Sequence, residues 1–280
     1  MIRIGGPLFN SPPDPVELAR QHKTAGYRAA YVPDNLSPKN SAQMREFERA
    51  FEQEGVMLAE ANGWCNLITP DPIEQKKNFE HVCLRLAVAD EVGARCTVDF
   101  LGTLDPGSSF GPHPGNLTAA GFELAVEVAR ALLDEVKPRR AKFAFEMMQW
   151  VLPDSVDCYL ALVKAIDRPG FGVHLDPVNL ITSPRVYYNT TALIKECFEK
   201  LGRYVVSCHA KDITLRNQLA LHLDEVPPGL GSMDYRTYLS ELSKLPGDTP
   251  IMLEHLSSAA EYEKAHAYLR TVAGELQLSV

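Results

Sequence analysis

One pattern of apolar and polar positions recurs along the chain. A stretch with helical apolar spacing runs into a glycine, and an apolar, β-prone segment follows. It appears in "HKTAGYRAAYV", "EQEGVMLAEA", "DEVGARCTVDF" and "EKLGRYVVSCHA". Gly26, Gly55, Gly93 and Gly202 are therefore expected to close helices in the left-handed conformation, which glycine adopts without a Cβ penalty. Helix starts repeat as well. "DPVE" (Asp14 to Glu17) and "DPIE" (Asp71 to Glu74) each offer an Asp N-cap, a Pro directly after it and a Glu three residues past the cap. Between these marks Phe79, Val82, Leu86 and Ala89 keep the spacing of one helical face.

Eight β-prone segments emerge: Ile2–Gly6, Tyr27–Pro33, Val56–Asn62, Cys96–Leu101, Lys142–Met147, Gly170–Asp176, Val205–Lys211 and Ile251–Leu256. Each precedes a helical stretch, and such alternation calls for parallel strands joined by right-handed crossovers. Eight units in 280 residues predict an α/β fold, a closed (β/α)8 barrel forming one domain over residues 1–280. An open doubly wound sheet is the alternative, but no G-x-G-x-x-G follows the first strand. The connections are asymmetric. Helix-to-strand links are short, whereas "GTLDPGSSFGPHPGN", "PVNLITSPRVYYN" and "ITLRNQLALHLDEVPPGLGS" follow strands four, six and seven. These long links fall on the C-terminal face, where barrel enzymes build their sites, and the loops Gly102–Asn116 and Ile213–Ser232 are expected to serve as lids.

Composition narrows the function. Apolar residues make up 45% of the chain, as in a soluble globule, and no run is long and apolar enough to cross a membrane. The N-terminus shows no signal-peptide core, so a cytoplasmic protein is expected. Lys plus Arg total 28 and Asp plus Glu 36, a formal charge of −8 that does not favour nucleic acid. The basic run "KPRRAK", Lys137 to Lys142, reads as a solvated helix end. Six cysteines are scattered without a C-x-x-C pair, which fits free thiols in a reducing compartment. A homo-oligomer is compatible with all of this.

The candidate chemistry lies at strand ends. "GVHLDPVNL", Gly172 to Leu180, carries Asp176 in an apolar strand that breaks on Pro177. Taken alone, Asp176 reads as a turn or cap residue. Glu146 in "FAFEMM", His209 in "SCHAKD" and Glu254 in "IMLEHL" occupy the same place on three other strands. Inward side chains at the ends of four successive strands converge on the barrel mouth. Three carboxylates brought together would repel one another, and a cation resolves that conflict. A Glu, Asp, His, Glu set suits Mn²⁺, Mg²⁺ or Co²⁺, accepts Zn²⁺, and should hold the ion at about 2.0–2.4 Å.

In that order, "FAFEMM", "GVHLDPVNL", "SCHAKDI" and "IMLEHL" resemble the xylose-isomerase-like barrel superfamily. Its members include tagatose-type epimerases and other sugar isomerases, hydroxypyruvate isomerase, inosose dehydratase and the type IV apurinic endonucleases. The resemblance implies a divalent metal, Mn²⁺ first, held by Glu146, Asp176, His209 and Glu254. It also implies that Glu146 and Glu254 exchange protons with a small carbohydrate substrate. A polarised ketone with an acidified α C–H would pass through an enediolate. The chain departs from the tagatose type in two places: Asn179 stands where those enzymes carry His, and Leu152 where they carry a second Glu. The apurinic endonucleases need histidines at the ends of strands three and four. Here "LAEANGW" and "TVDFLG" offer Glu60, Asn62 and Asp99 instead.

Further candidates surround this set. Lys211 shares the face of His209 and can hold a substrate oxygen or pair with Asp212 or Glu254. Arg216 lies where family members often place a substrate-binding Arg. His174, one layer below Asp176, reads as a neighbour of the ligands or a core histidine. Trp64 can stack on a sugar ring and His113 in "GPHPG" can belong to a lid. Cys208, beside His209, reads as a buried inert thiol. The "PPGLGSMDY" stretch, with Gly229 and Gly231, reads as a structural turn, and no Gly-rich phosphate cradle is present. The expected activity is isomerisation or epimerisation of an unphosphorylated small sugar or keto-sugar. A lyase or dehydratase acting on a keto-sugar, keto-inositol or oxidised glycoside through the same site is the alternative, and a non-catalytic binding barrel is the remaining one.

Overall fold

A computed structural model describes residues 1–280. Its strands are β1 (Arg3–Gly5), β2 (Ala29–Tyr31), β3 (Met57–Asn62), β4 (Cys96–Asp99), β5 (Lys142–Phe145), β6 (Val173–Leu175), β7 (Val205–Ala210), β8 (Asp212–Leu215), β9 (Leu223–Val226) and β10 (Pro250–Leu253). Eight of them form one parallel sheet in the order β5-β4-β3-β2-β1-β10-β7-β6. Bridges between Phe143 and Phe171 and between Glu146 and His174 bring the two ends together, so the sheet is a nearly closed barrel. This seam is thin, and a helix braces it. Tyr159, in the helix Val156–Ile166, donates its hydroxyl to the Phe145 carbonyl at 2.5 Å and accepts the His174 N–H at 3.1 Å. Each barrel strand overlaps one of the eight predicted segments.

The helix signals act as their chemistry predicts in most places. Asp14 accepts the Glu17 N–H at the start of α1 (Pro15–Thr24), and Asp71 accepts those of Ile73 and Glu74 at the start of α3 (Pro72–Val92). Gly55 and Gly93 close α2 (Ser41–Glu54) and α3 with φ of 69° and 72°, and Gly26 lies two residues past α1, directly after its Ala25 cap, with φ of 85°. Gly202 departs from expectation. Its φ is −47°, because the helix Thr190–Leu201 runs on into a 3-10 turn, Gly202–Tyr204, that leads straight into β7 without a left-handed reversal.

A second departure lies in the link after β7. It is an antiparallel hairpin, β8 with β9, where an irregular loop was expected. Asp212 anchors it: the carboxylate accepts N–H bonds from Gly229, Gly231 and Met233 at 2.8–3.0 Å. A side chain at Gly231 would collide with Asp212 and with the backbone of Ile213, which explains the glycine.

The main core packs between strands and helices. Two smaller clusters, Cys96, Val98, Ala144 and Val206, and Ala29, Ala59 and Met252, join strands that are not all neighbours in the sheet, so they fill the barrel interior. No helix is long and apolar enough to cross a membrane.

Candidate metal centre

Glu146 directly follows β5, Asp176 directly follows β6, His209 lies within β7 and Glu254 directly follows β10. All four are buried, and one donor atom from each lies within 4.8 Å of the other three. The cap reading of Asp176 fails. Pro177 opens a 3-10 turn, but the Asp176 side chain makes no capping bond. It faces Lys211 Nζ at 2.7 Å and His209 Nδ1 at 3.8 Å. Pro177 thus ends the strand while its neighbour points across the mouth.

His209 Nδ1 lies 2.9 Å from Glu146 Oε1 and 2.7 Å from Glu254 Oε1. The Lys211 ammonium reaches Glu254 Oε1 at 2.5 Å and Glu146 Oε1 at 3.3 Å, so it touches all three carboxylates. It pairs with Glu254 and not with Asp212, which the hairpin uses.

These charges govern one another. Burial opposes ionisation of Asp176, yet Lys211 and His209 hold it well below the usual carboxylate range. Glu254 is held down to about 2 against burial, by His209 and Lys211. Burial raises Glu146, with Lys211 opposing and Glu254 assisting. Burial disfavours a charged His209, but Glu254 and Glu60, with Asp176 and Glu146, raise it well above its ordinary value.

The donor set fits a divalent cation. Asp176 Oδ1 and Glu254 Oε1 are buried with no hydrogen bond of good geometry, although the latter has His209 and Lys211 close by. Buried carboxylate oxygens are ordinarily satisfied, so the partnerless Asp176 Oδ1, amid three converging carboxylates and an imidazole nitrogen, suits a hard, oxygen-preferring ion.

Sequence reasoning passed over Glu60 as a residue that is not a histidine. It lies in β3, fully buried, beneath the ligands. One of its oxygens faces His209 Nε2 at 3.2 Å; the other accepts the Ser207 hydroxyl and lies 3.3 Å from His174 Nε2. His209 therefore turns Nε2 to a carboxylate and Nδ1 to the ligand cluster, the arrangement that fixes the ring of a metal-binding histidine. His174 packs edge-on against His209, with ring centroids 4.0 Å apart. The missed signal was available: an acidic residue inside the apolar strand "MLAEAN", of the kind that marked Asp176.

Other candidates fall in different places. Asn179 donates to Asp176 Oδ2 at 3.2 Å and to the Met147 carbonyl at 2.9 Å, so it steadies the Asp176 carboxylate. Trp64 lines the cavity over the cluster and stacks on Phe100, with centroids 6.1 Å apart. His113 caps a 3-10 turn through its Nδ1 and does not line that cavity. Arg216 is exposed on the hairpin and paired with Asp224, also outside the lining. Burial pushes the Cys208 thiol up, as expected of an inert cysteine. His255, which the sequence did not single out, lines the cavity in the left-handed region (φ 58°), with Nδ1 3.2 Å from both oxygens of Glu225 in β9.

The cavity measures about 830 Å³ and has Glu146 and Glu254 in its wall. Residues 19–272 match the xylose isomerase-like TIM barrel family. The chain belongs to that family. No curated protein sequence matches it. Among solved structures it is similar to a xylose isomerase-like barrel protein from Mycobacterium smegmatis in complex with magnesium, at 19% identity over 99% of this chain and 98% of the other, TM-score 0.67. It is similar to a probable 3-DHS dehydratase of petrobactin synthesis from Bacillus anthracis, at 13% identity over 98% and 99%, TM-score 0.71. It is also similar to a D-psicose 3-epimerase solved in the presence of D-fructose, at 14% identity over 98% and 100%, TM-score 0.68.

Proposed function

We propose that this family member is a divalent-metal-dependent isomerase or epimerase of a small sugar or keto-sugar. The observation that carries the reading is the convergence of Glu146, Asp176, His209 and Glu254 beneath a large cavity at the C-terminal mouth. When bound by these four, a divalent cation, Mn²⁺ first and Mg²⁺, Co²⁺ or Zn²⁺ as alternatives, supplies polarisation of a carbonyl and its neighbouring hydroxyl, which acidifies the adjacent C–H.

The protein supplies the rest. β5 and β10 flank the pair of strands that carries Asp176 and His209, so Glu146 and Glu254 approach from either side. One carboxylate removes the proton and the other returns one. Asp176 and His209 act as ligands, Asn179 steadies Asp176, and Glu60 orients His209. Lys211 balances the carboxylate charge and can turn to a substrate oxygen. Trp64 covers one face of the ring, since an indole stacks well on sugar C–H groups. A magnesium-bound relative and one solved in the presence of a ketose support this chemistry.

One observation supports a lyase or dehydratase reading of the same site. Asn179 is engaged with Asp176 and Met147, and Leu152 is buried in the core, so neither is free to hold the far end of a ketose. Both readings begin with loss of the same α-proton. The test is to incubate Mn²⁺-loaded protein with ketoses and keto-glycosides in D₂O and follow them by proton NMR. Loss of the α-proton signal with retained mass apart from deuterium supports isomerisation or epimerisation. Loss of water or of the aglycone supports the lyase. No exchange in any member of the panel, at full metal occupancy, overturns both.

A further inference from the structure

The cavity is much larger than its metal end requires. At about 830 Å³ it stands near the top of the range of about 300–1,000 Å³ found for pockets holding drug-sized ligands. A single sugar ring over Glu146 and Glu254 fills only part of it. The remainder extends beneath the links after β1 and β2, where Pro7, Leu8, Pro12, Pro13, Leu18 and Phe47 form its apolar lining and Ser11, Asn35 and Gln43 add a few polar groups.

The wall between the two ends is aromatic. Trp64 stacks on Phe100, Phe100 meets Phe110 edge-on at 5.1 Å, and Phe110 meets Trp150 edge-on at 5.0 Å. Phe110 is 41% exposed and Trp64 37%, a large apolar area for two residues facing a cavity. The charge of the lining is one-sided. It contains Asp34, Glu146 and Glu254 but no Lys or Arg. The nearby Arg85 is committed elsewhere: its guanidinium donates to the carbonyls of Val32, Pro33 and Asn62 and pairs with Asp34 at 3.2 Å. A phosphate or carboxylate in the distal half would meet Asp34 and no free Lys or Arg.

We propose that the distal half of the cavity is a subsite for an apolar, ring-bearing substituent, so that the substrate is a neutral keto-glycoside and not a free or phosphorylated sugar. This rests on the carbohydrate reading above and narrows it. The sugar occupies the metal end against Trp64. The substituent lies between the Phe100–Phe110 wall and the proline-rich link after β1, where burying a ring gains what water cannot match.

The test is calorimetric titration of the Mn²⁺-loaded protein with the 3-keto derivatives of methyl β-D-glucopyranoside, phenyl β-D-glucopyranoside and glucose 6-phosphate. The phenyl glycoside is expected to bind at least about tenfold tighter than the methyl glycoside, the scale of one buried ring, and the phosphate weakest. Leu8→Ser and Phe110→Ala, both outside the metal set and at exposed or half-buried positions, should each cut that preference at least about threefold while leaving the methyl glycoside within about twofold. Equal binding of the two glycosides overturns the subsite and leaves the sugar reading standing. Preferred binding of the phosphate overturns the neutral assignment. If neither glycoside binds while the metal does, the carbohydrate reading falls and takes the subsite with it.

Discussion

The two halves of the barrel mouth are built in different ways. Around β5, β6, β7 and β10 the candidate ligand side chains stand on the strands or on the residue directly after them. Their directions are set by the sheet and by mutual ion pairs of 2.5–3.8 Å. Around β1 to β4 the cavity is lined mostly by links, helices and aromatic rings. There the strand ends serve as scaffold. Asp99 accepts the Cys65 N–H at 3.0 Å and so holds the turn that presents Trp64 with φ of 45°. Gly5 lets Met252 and the backbone of Ala29 pack against β1. Groups proposed to hold a cation and move protons would tolerate little displacement and suit the rigid ladder, whereas the proposed selection of a substituent would tolerate more and suit links.

The largest expected effect breaks that contrast if it fails. Glu146→Gln and Glu254→Gln keep an oxygen donor and lose the basic carboxylate. Each should lower turnover by roughly 10²–10⁴-fold, the usual scale of acid–base catalysis, with part of the metal retained. His209→Ala should act chiefly by losing metal, and added Mn²⁺ should restore part of the rate. Turnover and bound metal are measured together for all three. Near-normal turnover of the glutamine variants at full metal occupancy would remove the proton-transfer role from the strand half and send the search to Lys211, His174 or the residues of the links.

The same contrast governs what could be read from the chain. The strand half was legible because Glu146, Asp176, His209 and Glu254 each interrupt an apolar segment at an equivalent place, and period-two geometry then says where they point. Capping chemistry was legible at Asp14, Asp71, Gly55 and Gly93 because it is local. Gly202 was misread because a 3-10 turn and a left-handed cap share the same glycine signal. The β8–β9 hairpin was missed because its pairing depends on Asp212 gathering backbone N–H groups from a distant turn, which no local pattern announces. The distal cavity was illegible for the same reason: Leu8, Phe47 and Phe110 look like any apolar residues until the barrel brings their elements to one place.

Glu60 sharpens the comparison, because it belongs to β3 yet serves the ligand half. Glu60→Gln preserves shape and the bond from Ser207 but weakens the hold on His209 Nε2. Loss of such an orienting carboxylate costs about 10–100-fold in metal affinity. Titration of metal-free protein with Mn²⁺ reads this directly, and circular dichroism checks that the fold persists. A change below about twofold, well short of that range, would place Glu60 with the scaffold half.

The smallest expected effect concerns the β8–β9 hairpin, which belongs to neither half. Arg216 is exposed there, paired with Asp224, and does not line the cavity. An exposed pair of this kind contributes about 0–1 kcal/mol, because water screens the charges and two long side chains must be ordered to meet. Arg216→Ala should therefore shift the urea midpoint within the change expected for about 0.5 kcal/mol and leave kcat/KM within about twofold. The hairpin does touch the mouth at one point, where Glu225 meets His255 beside Glu254. If Arg216→Ala instead raises KM about tenfold or more at unchanged stability, an interaction with substrate has been lost. In that case the hairpin closes over the cavity when substrate binds, and Glu225→Gln, which weakens the tether to His255, should alter KM in the same assay. That result would add a moving third region to the rigid ligand half and the link-built cavity.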